Sequence, residues 1–287
     1  NILIKNKILI NQFLVSKFVH LGTPAQYQDY LKWRDSISKN WSINLKLNFT
    51  NIMLMGGKGA RVKKLKQKKP FLKIKNKKIY QYIFKKFGSY KNIIISNKDY
   101  VKQISKRFKV HLIKKTNSML STIEESQAIF EKHNNFFLTS CDCYGDFQTT
   151  KFKQLLNTKK IDLIVFGYKF SNLQKYLTNS HTELIIKNSK ITNIMVKSSS
   201  KKSNIGHAGF FWIKSNKIFK YISRFKSTAG KKISKSRELI IDDYFSYLLK
   251  NKLFNIKYFM LDSYIHIGSE KEFNEFNYWE KYFNDTK

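Results

Sequence analysis

Apolar residues in this chain recur in two rhythms. Short runs at 52–55, 93–95, 110–113, 136–139 and 162–168 are apolar at nearly every position, as strands buried on both faces of a sheet require. Between them lie stretches with helical spacing. Residues 79–87 place Ile79, Tyr82, Ile83 and Phe87 on one face, and helices are also expected over 100–108, 121–133 (opened by a Ser-Thr-x-Glu-like cap) and 151–157. Strand and helix in alternation predict an α/β fold: a Rossmann-like, mostly parallel sheet with helices on both faces. After His181 the pattern turns to hairpins, at 183–187, 191–197 and 210–213, followed by a helix over 237–249. This predicts an antiparallel part that covers a substrate.

The two ends of the chain repeat each other. Phe18-Val19-His20-Leu21-Gly22-Thr23 reads like Tyr264-Ile265-His266-Ile267-Gly268-Ser269. At the same offset Tyr27 matches Phe273, Tyr30 matches Phe276 and Trp33 matches Trp279. Each copy predicts a short strand, a glycine turn and an amphipathic helix with aromatics at i, i+3 and i+6. The stripe Phe273, Phe276, Tyr278 and Trp279 is read as facing the core, and residues 1–15 as an edge strand or hairpin.

Charge changes the picture less than its size implies. The 287 residues carry 55 Lys+Arg against 19 Asp+Glu, a net charge of +36. Such a field draws anions of every kind without choosing among them. An AT-biased coding sequence that fills surfaces with lysine gives the same excess, and no nucleic-acid-binding signature accompanies it. Nucleic-acid binding therefore stays a secondary reading, supported by eleven basic residues and no acid between Lys58 and Lys78. The two cysteines, Cys141 and Cys143, build neither a disulfide framework nor a zinc quartet, and suit a reducing compartment. No apolar run approaches the ~20 residues a membrane span needs. A cytoplasmic location without a membrane span is expected.

The candidate chemistry begins where the first strand runs into Gly56-Gly57-Lys58-Gly59-Ala60-Arg61. Glycines after a parallel strand let backbone amides approach phosphate closely. The Gly-Lys-Ser/Thr ending of a P-loop is absent, as is G-x-G-x-x-G. Lys69-Pro70 follows eight residues after Arg61. Strand, Gly-Gly-x-Gly-x-Arg loop and Lys-Pro together resemble the opening signature of the sugar-phosphate nucleotidyltransferase family. The match continues over roughly residues 48–280, and Cys141-Asp142-Cys143-Tyr144 resembles a capsule-biosynthesis-like subgroup.

The resemblance implies roles. Gly56, Gly57 and Gly59 would hold the nucleotide, with Arg61 on its triphosphate. Lys69 would neutralise the departing pyrophosphate, and Asp142 would hold Mg²⁺. Lys197, Gly209 and Glu238 would face the sugar phosphate. A nucleoside triphosphate and a sugar-1-phosphate are the implied substrates, and a nucleotide sugar for surface glycans the implied product. The family's closing motif carries an aspartate two residues before its glycine; here that residue is His266, and His20 in the first copy. A divergent, non-catalytic member is the alternative. The repeat then reads as tandem domains. Residues 1–45 are expected to be the C-terminal tail of a preceding similar domain and 46–287 the nucleotidyltransferase domain, so the chain, which does not begin with Met, is expected to be a fragment. Sugar, base and oligomeric state are not legible.

Overall fold

The computed structural model describes residues 13–15, 18–38, 49–57, 67–74, 76–87, 91–157, 160–170, 181–197 and 202–284. Residues 1–12, most of the first expected hairpin, lie outside them, and 13–15 carry no regular structure.

The main sheet grows outward from β1 (Thr50–Met55). It pairs in parallel with β4 (Lys91–Asn97) on one side and β6 (Asn134–Ser140) on the other, with Ile52 opposite both Ile93 and Leu138. Parallel β5 (Lys109–Ile113) extends the β4 side. On the β6 side, the long antiparallel β11 (Ile205–Ser215) leads to the hairpin β9 (Glu183–Lys187)–β10 (Lys190–Met195) and to β8 (Leu163–Lys169), which pairs in parallel with β12 (Ile256–Met260). The predicted doubly wound half and antiparallel half are both present.

Period-two alternation explains why the strands are apolar throughout. Met53 and Met55 of β1 pack into one core with Ile94, Phe137 and Phe166. Ile52 and Leu54 pack into a second core with Ile93, Leu138 and Val165, on the other face. A short hairpin, β2 (Lys73–Ile74) and β3 (Lys77–Lys78), leads into helix α2, over Ile79–Phe87 as predicted, which buries Ile79, Ile83 and Phe87 in the first core.

Three helices differ from the sequence reading. In place of a helix over 100–108 there is a single turn, α3 (Lys98–Val101), capped by Asn97, whose side chain accepts from Asp99 N at 3.0 Å. Beyond it the chain closes tight turns, and Ser105 N donates to Tyr80 Oη at 3.0 Å instead of continuing a helix. The helix expected over 121–133 is two pieces, α4 (Met119–Glu125) and α5 (Gln127–Phe130), capped by Ser118 rather than Ser121. Ser126 breaks it: its hydroxyl bonds back to Thr122 O. Helices α6 (Thr149–Asn157), α7 (Ile222–Ser227) and α8 (Ala229–Ser234) follow. The expected 237–249 helix starts later, as α9 (Ile241–Lys250), because the Asp243 carboxylate caps Ile240 N at 3.0 Å and pairs with Arg237, holding Arg237 outside the helix.

The repeated ends meet. Helix α1 (Pro24–Ser38) packs on the last helix, α10 (Glu270–Asn284). Trp33 stands edge-on to Phe276 with ring centres 6.1 Å apart, and Trp279 edge-on to Tyr30 at 5.8 Å. Tyr278 does not join this core. It is half exposed, and its hydroxyl donates to Phe18 O.

Candidate active site

Ligands of open α/β sheets bind beyond the carboxyl ends of the strands, where neighbouring connections leave in opposite directions. Here that crevice lies at the ends of β1 and β6. β1 runs directly into Gly56, and the turn after β6 carries Asp142.

Gly56 is enclosed. Its carbonyl accepts from Thr116 N and from Asn97 Nδ2, both at 3.1 Å. A Cβ there would stand 2.9 Å from Ile113 Cδ1 and from Thr122 Oγ1, which explains the glycine by close packing. Gly57 meets no such wall; its carbonyl accepts from Tyr100 Oη at 2.9 Å. Gly59 and Arg61 lie outside the described residues.

Lys69 and Asp142, 73 residues apart in sequence, form a buried ion pair. The Ser140 hydroxyl donates to the other Asp142 oxygen. Burial pushes the Asp142 carboxyl upward, but Lys69 and His266 beside it more than offset this and hold it well below the usual carboxylate range. His266 Nε2 stands 3.6 Å from Asp142 Oδ2, an ion-pair distance rather than a hydrogen bond. Its Nδ1 meets Glu272 Oε1 at 2.8 Å. Burial works against the charged ring, yet the two carboxylates raise His266 to about 9 and the pairing draws Glu272 down to about 2.

The strand carrying His266, β13 (Ser263–His266), clasps the site. It pairs antiparallel with β7 (Cys143–Asp146), and Ile267 N donates to Asp142 O at 2.7 Å. Glu272 escaped the sequence reading, although its signal was present. Ser269-x-x-Glu272 is a capping-box spacing: Ser269 Oγ accepts from Glu272 N at 3.3 Å, and Glu272 Oε2 from Gly268 N at 3.1 Å.

A second cluster adjoins through Gly209. Its φ of +76° favours glycine, and a Cβ there would meet Cys143 Sγ at 3.2 Å. Gly209 N donates to His207 Nε2 at 3.2 Å, so His207 Nδ1 carries the proton facing Asp242 Oδ1, 3.1 Å away. The Thr182 hydroxyl donates to Asp242 Oδ2 at 2.6 Å. Asp242 is buried, which alone would raise its pKa; His207, Thr182 and Lys197 lower it instead. The sequence reading chose Glu238 as the acid here. Glu238 is exposed, and Asp242 takes the buried position.

Lys197, with φ of +46°, borders a cavity of about 850 Å³ with Arg224, Thr228, Arg237 and Lys250. The lining of that cavity includes neither Asp142 nor Lys69 nor Gly209. The positive charge of Lys197 is felt at Asp242, and the cavity it borders is separate from the Lys69–Asp142 pair.

Among the described residues no group of three or more His, Cys, Asp and Glu is placed to hold a metal. Asp142 stands in the turn after β6, Glu272 lies on the far side of His266, and His266 is where the family resemblance leads one to expect aspartate. Mg²⁺ commonly takes one or two carboxylates and completes its shell with substrate phosphates and water. An ion held largely by a nucleotide would find an oxygen ligand in Asp142, whose two oxygens here meet Lys69 and Ser140. The described residues do not form a resident cage.

No family model and no curated protein matches the chain. Solved structures do. A Bacillus anthracis protein assigned as a glucose-1-phosphate thymidylyltransferase, in complex with sucrose, is similar with a TM-score of 0.65 and 17% identity, over 81% of this chain and 95% of that one. The inositol-1-phosphate CTP transferase of T. maritima gives 0.62 and 14%, over 81% and 96%. The nucleoside-diphosphate-sugar pyrophosphorylase of Vibrio cholerae RC9 gives 0.62 and 14%, over 80% and 100%. The chain thus has the fold of sugar-phosphate nucleotidyltransferases, the family its opening motif resembles. Among the described residues no helix is long and apolar enough to cross a membrane.

Proposed function

We propose that the chain is a nucleotidyltransferase that joins a nucleoside triphosphate to a sugar-1-phosphate, releasing pyrophosphate and giving a nucleotide sugar. The observation that carries this reading is the buried Lys69–Asp142 pair, whose aspartate follows β6, the parallel neighbour of the strand β1 that runs into Gly56 and Gly57. The acceptor phosphate is already an anion, so the reaction needs no general base. Its obstacles are repulsion between two phosphates and the charge growing on the leaving pyrophosphate, and both yield to positioned cations.

In this reading Lys69 neutralises the pyrophosphate. Arg61 and the amides of Gly56, Gly57 and Gly59 cradle the triphosphate, and Asp142 holds Mg²⁺ that arrives with the nucleotide. When bound, that ion supplies Lewis-acid charge to the phosphate oxygens. Gly209 lets the chain pass closely beside the acceptor, and Lys197 meets the sugar phosphate. Glu238, exposed, is the weakest of these assignments; Asp242 is better placed to receive sugar hydroxyls. A cytoplasmic role in supplying nucleotide sugars for surface glycans fits this chemistry.

The test is pyrophosphate release from each nucleoside triphosphate with Mg²⁺ and a panel of sugar-1-phosphates. One productive pair is expected, with kcat reduced roughly 10²–10³-fold in Lys69→Ala and in Asp142→Ala. Absence of sugar-dependent release from every pair would overturn the reading. His266, in place of the expected aspartate, favours a second reading: a non-catalytic member that binds nucleotide, in which those two substitutions alter binding and no turnover exists to lose.

A further inference from the structure

The two copies of the repeat share their conformation as well as their sequence. In the second, the Tyr264 and His266 rings stack with centres 6.4 Å apart and 10° between planes; in the first, Phe18 and His20 do so at 6.5 Å and 11°. A Cβ on Gly268 would collide with the His266 ring, and one on Gly22 would stand 2.7 Å from His20 Nε2. Ser269 Oγ accepts from Glu272 N, and Thr23 Oγ1 accepts from Gln26 N at 3.2 Å. The histidine Nδ1 of each copy faces the side chain at that third helical position: Glu272 at 2.8 Å and Gln26 at 3.4 Å.

The likeness reaches further back than His20. Phe13-Leu14-Val15 stands at the same offset as Phe259-Met260-Leu261, the end of β12 and the residue after it.

What differs is cover. Leu261, Tyr264 and Ile267 are 7%, 7% and 1% exposed, whereas Val15, Phe18 and Leu21 are 70%, 69% and 40% exposed. In the second copy β12 lies on β8 and β13 on β7. In the first, the same side chains face no such strands among the described residues. Consecutive large apolar residues this exposed mark a surface built for a partner.

The helices show how the partner sits. Trp33 meets Phe276 while Trp279 meets Tyr30, and Tyr30 and Phe276 are themselves counterparts. This reciprocity is the signature of a two-fold axis, in which i touches j and j touches i. The two helices of the pair are thus related to each other as the two copies of the repeat are.

We propose that Phe13 to Ser38 is the closing segment of a second unit of this fold, carried earlier in the same polypeptide, and that the two units join through α1 and α10 about a pseudo-two-fold axis. The segment that closes a unit is its last, so the rest of that unit precedes it. A second copy of this chain does not serve, because its own β12 and β13 already occupy the β8 and β7 edges that Phe13–Val15 and Phe18–His20 require. In the preceding unit His20 would face the residue equivalent to Asp142.

The inference rests on the fold and not on the proposed reaction, and its test reads no activity. The intact mass of the polypeptide from its natural host is expected to exceed this chain by about one further domain, on the order of 200 residues. Amide hydrogen exchange of the natural polypeptide should protect Val19 to Leu21 as strongly as Ile265 to Ile267; in this chain alone the first set should exchange at least 10²-fold faster than the second. A natural polypeptide beginning at or near Asn1 would overturn the proposal. So would equal exchange of Val19 to Leu21 in the two forms.

Discussion

One motif occurs twice in this molecule, and only one copy has a unit to close among the described residues. Around His266, apolar side chains are buried, the strand clasps the Asp142 turn, and Glu272 and Asp142 flank the ring. Around His20 the same turn, stacking and helix start are kept while the apolar side chains stand in solvent and Gln26 replaces the glutamate. The turn geometry is therefore written locally, in His-x-Gly-Thr/Ser and the cap three residues on. Burial and charge pairing are conferred by what the motif closes upon.

The sharpest way to break the comparison is to remove one buried side chain from each copy. Ile267→Ala should cost about 3 kcal/mol, as loss of a fully buried aliphatic does. Leu21→Ala, at the matching position, should change the stability of this chain by less than about 0.5 kcal/mol. Chemical denaturation of the two variants checks both. Equal costs would mean that the first copy is covered in solution by something other than a preceding unit.

The next effect is that of the charged ring. His266→Ala removes a cation flanked by two carboxylates, and a loss of about 2 kcal/mol near neutral pH is expected. The pH dependence fixes the sign. His266 is raised from 6.5 to about 9, so its contribution is complete below 6.5 and is lost as pH climbs through 9. The rise is equivalent to about 3 kcal/mol, shared with Glu272 as one interaction. Wild type and variant should thus converge in stability above pH 9 and differ most below 6.5. His20→Ala is expected to change the stability of this chain by less than about 0.5 kcal/mol.

Much of this was legible before any coordinates. Ile52-Met53-Leu54-Met55 read as a short apolar strand, and the glycine loop with Lys69-Pro70 pointed to phosphate chemistry at its end. The pairing of Lys69 with Asp142 was not legible, because it depends on β1 and β6 being neighbours and not on local spacing. Glu238 was chosen because it matches an acidic position of the family its motifs resemble, and such a match does not show which of the neighbouring acids is buried. Only the cap formed by Asp243 and Arg237 shows that the helix starts at Ile241, so that Asp242 lies in its first turn, buried against Thr182 and His207. Ser126 was hidden likewise: a serine within a helical pattern breaks it when its hydroxyl finds a backbone carbonyl, and the pattern alone does not show that choice.

Exchanging the residues that distinguish the copies sharpens the comparison further. Glu272→Gln gives the second copy the side chain of the first. The carboxylate that now accepts from His266, Gly268 N and Ser269 becomes a neutral amide in a partly buried place. A loss of about 1–1.5 kcal/mol near pH 7 is expected, with His266 titrating closer to its ordinary value, as NMR titration of the ring would show.

The reverse exchange should do the least, and its smallness is informative. Gln26→Glu places a carboxylate beside His20 with the geometry that serves Glu272, since the cap to Thr23 is already formed in the first copy. The new pair is exposed to water, however, and no equivalent of Asp142 stands on its other side among the described residues. Exposed pairs contribute about 0–1 kcal/mol and are weakened by salt. A gain below about 0.5 kcal/mol in this chain is expected, vanishing at high ionic strength. In a polypeptide that carries the preceding unit, the same substitution would act on a buried ring, and the gain should rise toward the cost of Glu272→Gln. A large, salt-resistant gain in this chain alone would show that the motif makes its own electrostatics. The contrast between the copies would then belong to Gln26 and Glu272 themselves rather than to the fold each one closes.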